Sequence, residues 1–445
     1  MTRPITSLLS AAAILCLAAV PASAATKKPG HKRPAKTKKV ASKRAVPQGF
    51  VGMNVDGPML GDTTGLADRE YGTMVADGVE SVRVIFFWQR MQPYSNVASV
   101  PADKRSRFRT LVGGVPTDFS DMDSQITSTA RRGLSMLPVI LGAPRWAAFN
   151  YDGRVSAIPN DVRTYTRFLQ ALVRRYGPKG SGGKGQFWRE NPRVPYRPLR
   201  EWQIWNEVNI GLYWPQPFDS GPTSVPDGPA RDRKTYPYLL RASYKAIKQV
   251  DRRATVVLAA LTNKSWKSLG FIYDSFRHTG RRYFDAVAIQ TYTWEPRDVV
   301  TAMVYVRRVM NRNGDKRKPI YWTELNWPAA CRAYDCDSSR GGNPANQLTH
   351  NVYGTETNDA GAAQKLDQAL RLLAGNRKRL GLTRVYVYTW LSTFTSDQDP
   401  FDYSGMRDLQ PNGQVTDKPA LLALRRRALA LEGCKSQLKR SVTRC

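Results

Sequence analysis

The chain alternates between short apolar segments and longer amphipathic ones. Eight apolar segments of strand length occur over about 385 residues, and helical periodicity separates or follows them. This alternation is typical of parallel strands joined by helices. Eight such units are the count of a (β/α)8 TIM barrel, which we predict as a single α/β domain. The predicted strands are Phe50 to Val55, Val79 to Trp88, Leu134 to Leu141, Leu199 to Asn206, Ala254 to Leu261, Phe284 to Tyr292, Ile320 to Glu324 and Arg384 to Trp390.

A doubly wound open sheet is the alternative for strands and helices in this order. That fold usually has a glycine-rich phosphate-binding loop after its first strand. The segment Gly52 to Gly57 does not fit such a loop. We therefore favour the barrel, in which the carboxyl ends of all eight strands meet at one face.

The first 24 residues have the pattern of a secretory signal peptide. Arg3 supplies the positive end, Leu8 to Val20 the apolar segment, and Ala22 to Ala24 the small-residue cleavage site. No later run approaches the roughly 18 apolar residues that a membrane span requires. We therefore expect a protein without a membrane span that is secreted, either extracellular or associated with the cell wall.

The segments that flank the predicted barrel are basic. Residues 25–48 are predicted to be a disordered linker, because they are rich in Lys and Pro and contain almost nothing to bury. The barrel is expected over residues 49–433, followed by a basic tail at 434–445. The linker is either a solvated tail or a tether to a negatively charged wall.

Four cysteines remain once Cys16 is removed with the signal peptide. An even count in an oxidising compartment predicts two disulfides. The local pairs Cys331–Cys336 and Cys434–Cys445 are the simplest of three possible connectivities. The alternative is a metal site, but the chain has three His and no CxxC motif, so we expect no metal and no cofactor.

The formal net charge is +32. Such an excess attracts anionic partners, and an acidic polysaccharide or a cell-wall polymer is the partner we expect. A basic surface that only keeps the protein soluble is the alternative. Nucleic acid is the least suitable partner, since export argues against it and no module of basic and aromatic residues is present.

Two glutamates stand where predicted strands end. Glu207 follows the fourth strand, and Glu324 ends the seventh. A carboxylate at the end of a buried strand is unfavourable unless it is paired or used. On the carboxyl face of a barrel the two would lie across from one another, where they suit cleavage of a glycosidic bond. For either glutamate alone, a surface salt bridge is the alternative.

The segments Trp205-Asn206-Glu207 and Thr323-Glu324-Leu325 resemble the acid/base and nucleophile motifs of the clan of retaining glycoside hydrolases with (β/α)8 barrels. The resemblance extends from about Gly52 to Leu431. It is strongest to bacterial members related to families 39 and 5. It implies that Glu207 is the acid/base and that Glu324 is the nucleophile.

The same resemblance implies roles for further residues. Asn206 would bind the sugar 2-hydroxyl, and Arg83 would keep the nucleophile ionised, since a nearby cation lowers the pKa of a carboxylate. A buried ion pair is the structural alternative for Arg83. Tyr292 matches a tyrosine that contacts the nucleophile, and Trp390 a tryptophan that floors the sugar subsite. Gln290 departs from the family, because relatives often carry His there.

Four further tryptophans lie at or beyond the ends of predicted strands. They are Trp88, Trp146, Trp214 and Trp327. Their rings either stack on sugars or pack within loops, and Trp146 is the best candidate for a sugar contact. The sequence thus predicts a secreted retaining hydrolase of a β-linked oligo- or polysaccharide. The alternative is a non-catalytic barrel that binds an anionic glycan.

Overall fold

In a computed structural model, the chain is described over residues 44–62, 64–149, 151, 157–178, 184–214, 235–262, 265–275, 283–332, 355–393 and 400–434. An eight-stranded parallel sheet forms its centre. Each strand overlaps one of the predicted segments. The strands are β1 (Val51–Val55), β2 (Ser81–Phe87), β3 (Ser135–Leu141), β4 (Glu201–Ile204), β5 (Thr255–Val257), β6 (Val287–Gln290), β7 (Ile320–Leu325) and β8 (Leu382–Val387).

Each strand is followed by a helix of at least 11 residues within the described chain. The helices are α1 (Leu66–Ala76), α2 (Ser120–Arg132), α3 (Val162–Tyr176), α4 (Tyr236–Val250), α5 (Ser265–Ser275), α6 (Asp298–Arg312), α7 (Asp359–Leu380) and α8 (Pro419–Glu432). Helix α3 shows why they form. Tyr165, Phe168, Leu172 and Tyr176 recur at helical spacing and are fully buried, while Asp161 caps the first turn.

The strand order closes the sheet into a barrel. Hydrogen-bonded neighbours run β6-β7-β8-β1-β2-β3-β4-β5, and the bridges Val257–Ala286 and Leu261–Ile289 join β5 to β6. The predicted (β/α)8 barrel is therefore confirmed, and the doubly wound alternative is excluded. All eight strands are parallel, so their carboxyl ends lie at one face.

Residues 44–48 correct the predicted end of the disordered linker. The Ala45 N–H donates to Leu431 O at 2.9 Å, and Val46 is 3% exposed. Arg44 forms an ion pair with Glu80 at 2.7 Å. Val46 therefore packs against the barrel through its apolar side chain, while the other four residues of this segment are exposed.

Several predicted features lie outside the described residues. They include the signal peptide, most of the linker, and residues 435–445 of the tail. Cys336 and Cys445 are also outside, so their pairing with Cys331 and Cys434 stays a prediction. None of the described helices is long and apolar enough to cross a membrane.

Candidate active site

The turn after β4 holds two residues in an unfavourable backbone conformation. Trp205 has a φ of 69° and Glu207 a φ of 38°. This left-handed region is rarely occupied by residues other than glycine, and each such residue costs on the order of 1–3 kcal/mol. Strain of this kind persists only where the surroundings hold it, and it is concentrated at functional sites.

Hydrogen bonds and aromatic packing hold the strained turn. The Trp205 N–H donates to Ile140 O at 3.1 Å, and the indole Nε1 donates to Tyr213 O at 2.7 Å. The Trp205 ring packs edge-on against Tyr165 and Trp214, with centroids 6.1 and 5.5 Å away. Because Trp205 is anchored in this packing, the two residues after it are held at the carboxyl end of β4.

Glu324 is held near the end of β7. Its backbone O accepts from Trp322 Nε1 at 2.6 Å. Tyr292 donates its hydroxyl to Glu324 Oε2 at 2.7 Å, and Arg83 donates Nη1–H to Oε1 at 2.9 Å. Each carboxylate oxygen therefore has its own donor, which orients the side chain.

Arg83 on β2 is 1% exposed and connects four neighbours. Its Nε donates to Gln203 Oε1 at 3.0 Å, and its Nη1 also donates to Asn54 Oδ1 at 2.7 Å. Its Nη2 donates to Asn206 Oδ1 at 2.6 Å. One guanidinium thus contacts both Asn206 and Glu324, so the two strand-end motifs of the sequence meet at a single point.

Glu207 lies in an environment that favours its protonated form. The residue is 9% exposed. Burial and the nearby charge of Glu324 raise the pKa of Glu207 to about 8, against the opposing effects of Arg83 and of a hydrogen bond with the Thr262 side chain. Asn209 fixes Thr262 by donating to its backbone O at 2.9 Å. Burial and the neighbouring negative charge thus both favour the neutral form of the Glu207 carboxyl.

The pKa of Glu324 is shifted by competing effects. Burial raises it above its ordinary value, and the charge of Asp56 adds to this shift. The charge of Arg83 and the hydrogen bond from Tyr292 act in the opposite direction. Glu324, with Arg83 and Tyr292 as donors, is therefore better suited than Glu207 to carry negative charge. The two carboxyl groups therefore have different surroundings, because Glu324 accepts hydrogen bonds from Arg83 and Tyr292 that favour its charged form.

Sequence reasoning did not single out Asp56 and Tyr388. Asp56 directly follows β1 and Tyr388 directly follows β8. The Tyr388 hydroxyl donates to Asp56 Oδ2 at 3.0 Å. The ring of Phe401 packs edge-on against Tyr388 and Tyr292, with centroids 5.9 and 5.3 Å away. The signal that pointed to the glutamates, a functional side chain at a strand end, also marks Asp56 and Tyr388.

Tyr213 lies in the long loop after β4 that the sequence predicts to shape the substrate site, but no role was predicted for its side chain. Burial raises the pKa of its hydroxyl well above the ordinary value, and the charges of Glu207, Glu324 and Asp56 add to the effect. Its ring is half-buried. Tyr213 therefore lies close to the carboxyl groups, in the loop that follows the strained turn.

Two tryptophans expected to contact sugar lie in the core. Trp88 is fully buried, stacks on Phe168 and donates Nε1–H to Gln92 Oε1 at 2.6 Å. Trp390 is also fully buried and donates Nε1–H to Glu70 Oε2 at 2.7 Å. This placement corrects their interpretation as sugar platforms, because no ring surface is open to a ligand. Tyr388, which directly follows β8, is half-buried and hydrogen-bonded to Asp56.

The remaining predicted contacts differ in exposure. Trp146 is half-buried and donates Nε1–H to Gln92 O at 2.8 Å, so part of its surface stays open. Trp214 and Trp327 are 2% and 1% exposed, which agrees with loop packing. Gln290 is 0% exposed, and within the part of the chain that the structure describes its amide oxygen and nitrogen have no hydrogen-bond partner. Gln290 thus lies beneath the site, beside Glu324 in the strand register.

The chain matches no family model and no curated protein. Solved structures do share its fold. A family 39 glycoside hydrolase from Bacteroides cellulosilyticus has a TM-score of 0.54 at 15% identity, over 86% of this chain and 64% of that one. A monomeric β-xylosidase from Caulobacter crescentus has a TM-score of 0.53 at 15% identity, over 86% of this chain and 69% of that one. A family 5, subfamily 18 glycoside hydrolase from Bifidobacterium longum subsp. infantis has a TM-score of 0.51 at 12% identity, over 86% of this chain and 79% of that one.

These similarities agree with the barrel described above. They also confirm, at the level of the fold, the predicted relation to families 39 and 5. This chain spans less than two thirds of the family 39 structure. Within the described residues, no group of three or more His, Cys, Asp or Glu side chains is placed to hold a metal ion. The chain has the (β/α)8 fold of these glycoside hydrolases, with two glutamates at the carboxyl face.

Proposed function

We propose that the protein is a retaining glycoside hydrolase that cleaves a β-linked oligo- or polysaccharide by double displacement. The observation that supports this proposal most directly is the contrast between the surroundings of the two carboxyl groups. Glu207 has its pKa raised to about 8, whereas Glu324 accepts hydrogen bonds from Arg83 and Tyr292. Retaining glycosidases require one protonated carboxyl and one carboxylate that attacks.

In the first step, the Glu324 carboxylate attacks the anomeric carbon. The bond between that carbon and the leaving oxygen breaks, and Glu207 gives its proton to the oxygen. Arg83 and Tyr292 keep the attacking carboxylate oriented. The amide oxygen of Asn206 is committed to Arg83 at 2.6 Å, so its N–H groups are left to donate to a sugar hydroxyl.

In the second step, the glycosyl-enzyme ester on Glu324 is hydrolysed. Glu207, now ionised, removes a proton from a water molecule that attacks the anomeric carbon from the face the leaving group vacated. The carbon–oxygen bond to Glu324 breaks, and the sugar leaves with its original configuration. A pKa near the working pH suits Glu207 because it gives and takes a proton in one cycle.

Several features support the substrate and location that we propose. The β-xylosidase among the similar structures favours a β-linked substrate. The net charge of +32 favours an acidic polysaccharide as partner, and the first 24 residues favour export. The basic linker would associate the protein with a negatively charged cell wall. A non-catalytic barrel that binds an anionic glycan is the competing function.

Trapping with 2-deoxy-2-fluoro β-glycosides tests the proposal. These reagents form a long-lived ester with the nucleophile, so the intact mass should rise by one glycosyl unit and peptide mapping should place it on Glu324. Glu324→Gln should not label. Glu190→Gln, a matched change on an exposed side chain outside the site, should label as the parent does.

Glu207→Gln provides a second test. With an aryl leaving group that departs without a proton, this variant should form the ester and then release it slowly, and azide should restore turnover by replacing water. Binding of glycans without labelling or hydrolysis across a panel of β-glycosides would contradict an enzyme and support the non-catalytic barrel.

A further inference from the structure

Trp294 is the most exposed large apolar side chain in the part of the chain that the structure describes, at 67%. It lies in the loop that follows β6. Because the loops after barrel strands form the carboxyl face, Trp294 stands on the same face as Glu207 and Glu324. Single exposed apolar side chains are common on protein surfaces, so the position of this one is what matters. A large aromatic ring left in water beside a proposed active site favours a role in binding.

The burial pattern around Trp294 indicates which way its ring points. Thr291 and Thr293 are buried, whereas Tyr292 is half-buried and Trp294 is exposed. Because side chains alternate in non-helical chain, Tyr292 and Trp294 project to the same side. The Tyr292 hydroxyl reaches Glu324 Oε2 at 2.7 Å, so this side faces the proposed nucleophile. Two residues of chain span at most about 7 Å, and Trp294 therefore lies at the rim of the proposed active site.

The backbone that carries this ring is held on both sides. The Thr293 backbone O accepts from Trp327 Nε1 at 2.6 Å, and Trp327 is 1% exposed. The Trp294 backbone O accepts from Lys365 Nζ, on α7, at 2.8 Å. Pro296 follows two positions later, and its ring restricts the chain before it. A ligand that packs on a ring held in this way loses little free energy to the ordering of the loop.

Two charged side chains stand beside Trp294. Glu295 is the next residue, its side chain is 52% exposed, and its Oε1 lies 3.5 Å from Lys365 Nζ. A sugar presents a C–H face that packs on an aromatic ring, and its hydroxyl groups form hydrogen bonds with carboxylate and ammonium groups. An aromatic leaving group would use the ring but not these charges. The combination therefore favours a sugar as the ligand of Trp294.

The strand order places Trp294 on the side of the leaving group. The strands run β4-β5-β6-β7-β8-β1 around the barrel, so β6 lies between the strands that carry Glu207 and Glu324. Asp56 and Tyr388, after β1 and β8, lie beyond Glu324 on the other side. Glu207 gives its proton to the leaving oxygen, so the leaving group lies on the Glu207 side of Glu324. Trp294, after β6, is in the same sector of the barrel.

We propose that Trp294 is the platform of a binding site for the leaving-group sugar, which departs when the glycosidic bond is cleaved. The C–H face of that sugar packs on the Trp294 ring, and its hydroxyl groups reach Glu295 and Lys365. This role rests on the proposed hydrolase function and deepens it, because the substrate is then a glycoside whose leaving group is itself a sugar. The same site holds a second sugar that can accept the glycosyl unit from the enzyme.

Release of a trapped glycosyl-enzyme by added sugars tests this site. The full chain is converted to its Glu324 ester with 2-deoxy-2-fluoro-β-glucosyl fluoride, or with the xylosyl or mannosyl counterpart, and excess reagent is removed. Loss of the ester is then followed by intact mass in buffer and with cellobiose, xylobiose or mannobiose. In the transfer, a hydroxyl oxygen of the disaccharide attacks the anomeric carbon, its proton goes to Glu207, and the ester bond to Glu324 breaks. At least one disaccharide should speed the release.

Replacing the Trp294 ring should remove this acceleration. Trp294→Ala should lower the effect of the disaccharide about tenfold and leave release in buffer within about twofold, because the ring contacts the acceptor and not the ester. Trp294→Phe keeps a smaller ring and should keep most of the acceleration. Methanol, an acceptor without a sugar ring, should release the ester equally fast in the parent and in Trp294→Ala. The matched control is Tyr305→Ala, which removes a 45% exposed ring on α6 and should behave as the parent does.

Four other outcomes would overturn the proposal. If the parent forms no ester with any of the three reagents, the hydrolase function itself is contradicted, and the role of Trp294 falls with it. An ester that no disaccharide releases faster than buffer would exclude a site for a leaving-group sugar. Equal acceleration in the parent and in Trp294→Ala would exclude Trp294 as its platform. Release by benzyl alcohol that depends on Trp294 as strongly as release by the disaccharides would show a site for aromatic leaving groups instead.

Discussion

Arg83 and Glu324 form an ion pair of 2.9 Å in which the arginine side chain is 1% exposed and the glutamate side chain 10%. The same guanidinium binds Asn206 at 2.6 Å. A rigid, planar group therefore fixes the spacing between the proposed nucleophile and the residue that precedes the proposed acid. The ammonium of a lysine, on its flexible side chain, provides a single point of charge and would not fix Asn206 and Glu324 at the same time.

Replacing Arg83 by Lys is expected to lower kcat/KM by about 10–100-fold, because one or two charged hydrogen bonds of about 1.5–3 kcal/mol are lost while the charge remains. Rates on an aryl β-glycoside, with circular dichroism to check folding, measure the effect. Arg83→Met should lower the rate further.

The pH profile separates charge from geometry at this position. The Arg83 charge lowers the pKa of Glu324, so its loss should move the acid limb of the rate profile to higher pH in Arg83→Met. The limb should move less in Arg83→Lys. Identical limbs in both variants would argue against the ion pair as the cause.

The rate of hydrolysis is expected to fall above about pH 8. Glu207 must be protonated to assist the leaving oxygen, and its pKa is raised to about 8. Profiles of kcat/KM from pH 4 to 10 should show this alkaline limb for a poor leaving group, whose departure needs a proton. In Glu207→Gln the limb should be absent. A limb that persists in this variant would assign it to another group.

Glu207→Gln is expected to stabilise the folded protein increasingly as the pH is raised from 5 to 8. The folded pKa is about 8 and the ordinary value 4.5, so the contribution of Glu207 to stability is fully present below pH 4.5 and is lost as the pH rises through 8. Gln does not ionise and avoids this loss. Urea unfolding should show a difference on the order of 3 kcal/mol at pH 7. A difference in unfolding free energy that does not change with pH would contradict the burial of an ionisable carboxyl group at Glu207.

Trp390→Phe is expected to lower Tm more than it changes KM. Its indole donates to Glu70, whose carboxylate also binds Arg407 at 2.6 Å, and Glu70 is almost fully buried. Losing the indole N–H removes one hydrogen bond to a charged group, worth about 1.5–3 kcal/mol. Glu70→Ala should cost about 3–5 kcal/mol, because it leaves Arg407 without this buried partner. A raised KM with an unchanged Tm in Trp390→Phe would restore Trp390 as a sugar platform.

Much of the barrel is predictable from the sequence. The observed strands overlap the predicted ones, although β7 extends one residue further and β8 begins two residues earlier. This success has a local cause, since apolar runs and helical periodicity appear within a few neighbouring residues. Glu207 and Glu324 stand out in the same way, as carboxyl groups directly after such runs.

Side-chain direction is where prediction from the sequence failed. Trp88 and Trp390 stand at strand ends like the glutamates, yet both turn into the core because Gln92 and Glu70 accept their indole N–H groups. Asp56 and Tyr388 were passed over although they meet at the site. A position at a strand end places a residue at the carboxyl face of the barrel, but it does not determine which way the side chain points.

The sequence by itself determined the barrel, the order of its strands and the two glutamates, because these depend on patterns that are local along the chain. Only the tertiary structure decided how the site works. The left-handed turn at Trp205 and Glu207 exists because packing from α3 and the following loop holds it. The different surroundings of the two glutamates arise from burial and from Arg83, which lies 241 positions before Glu324 in the chain. Contacts over such separations are created by folding, so no local pattern contains them.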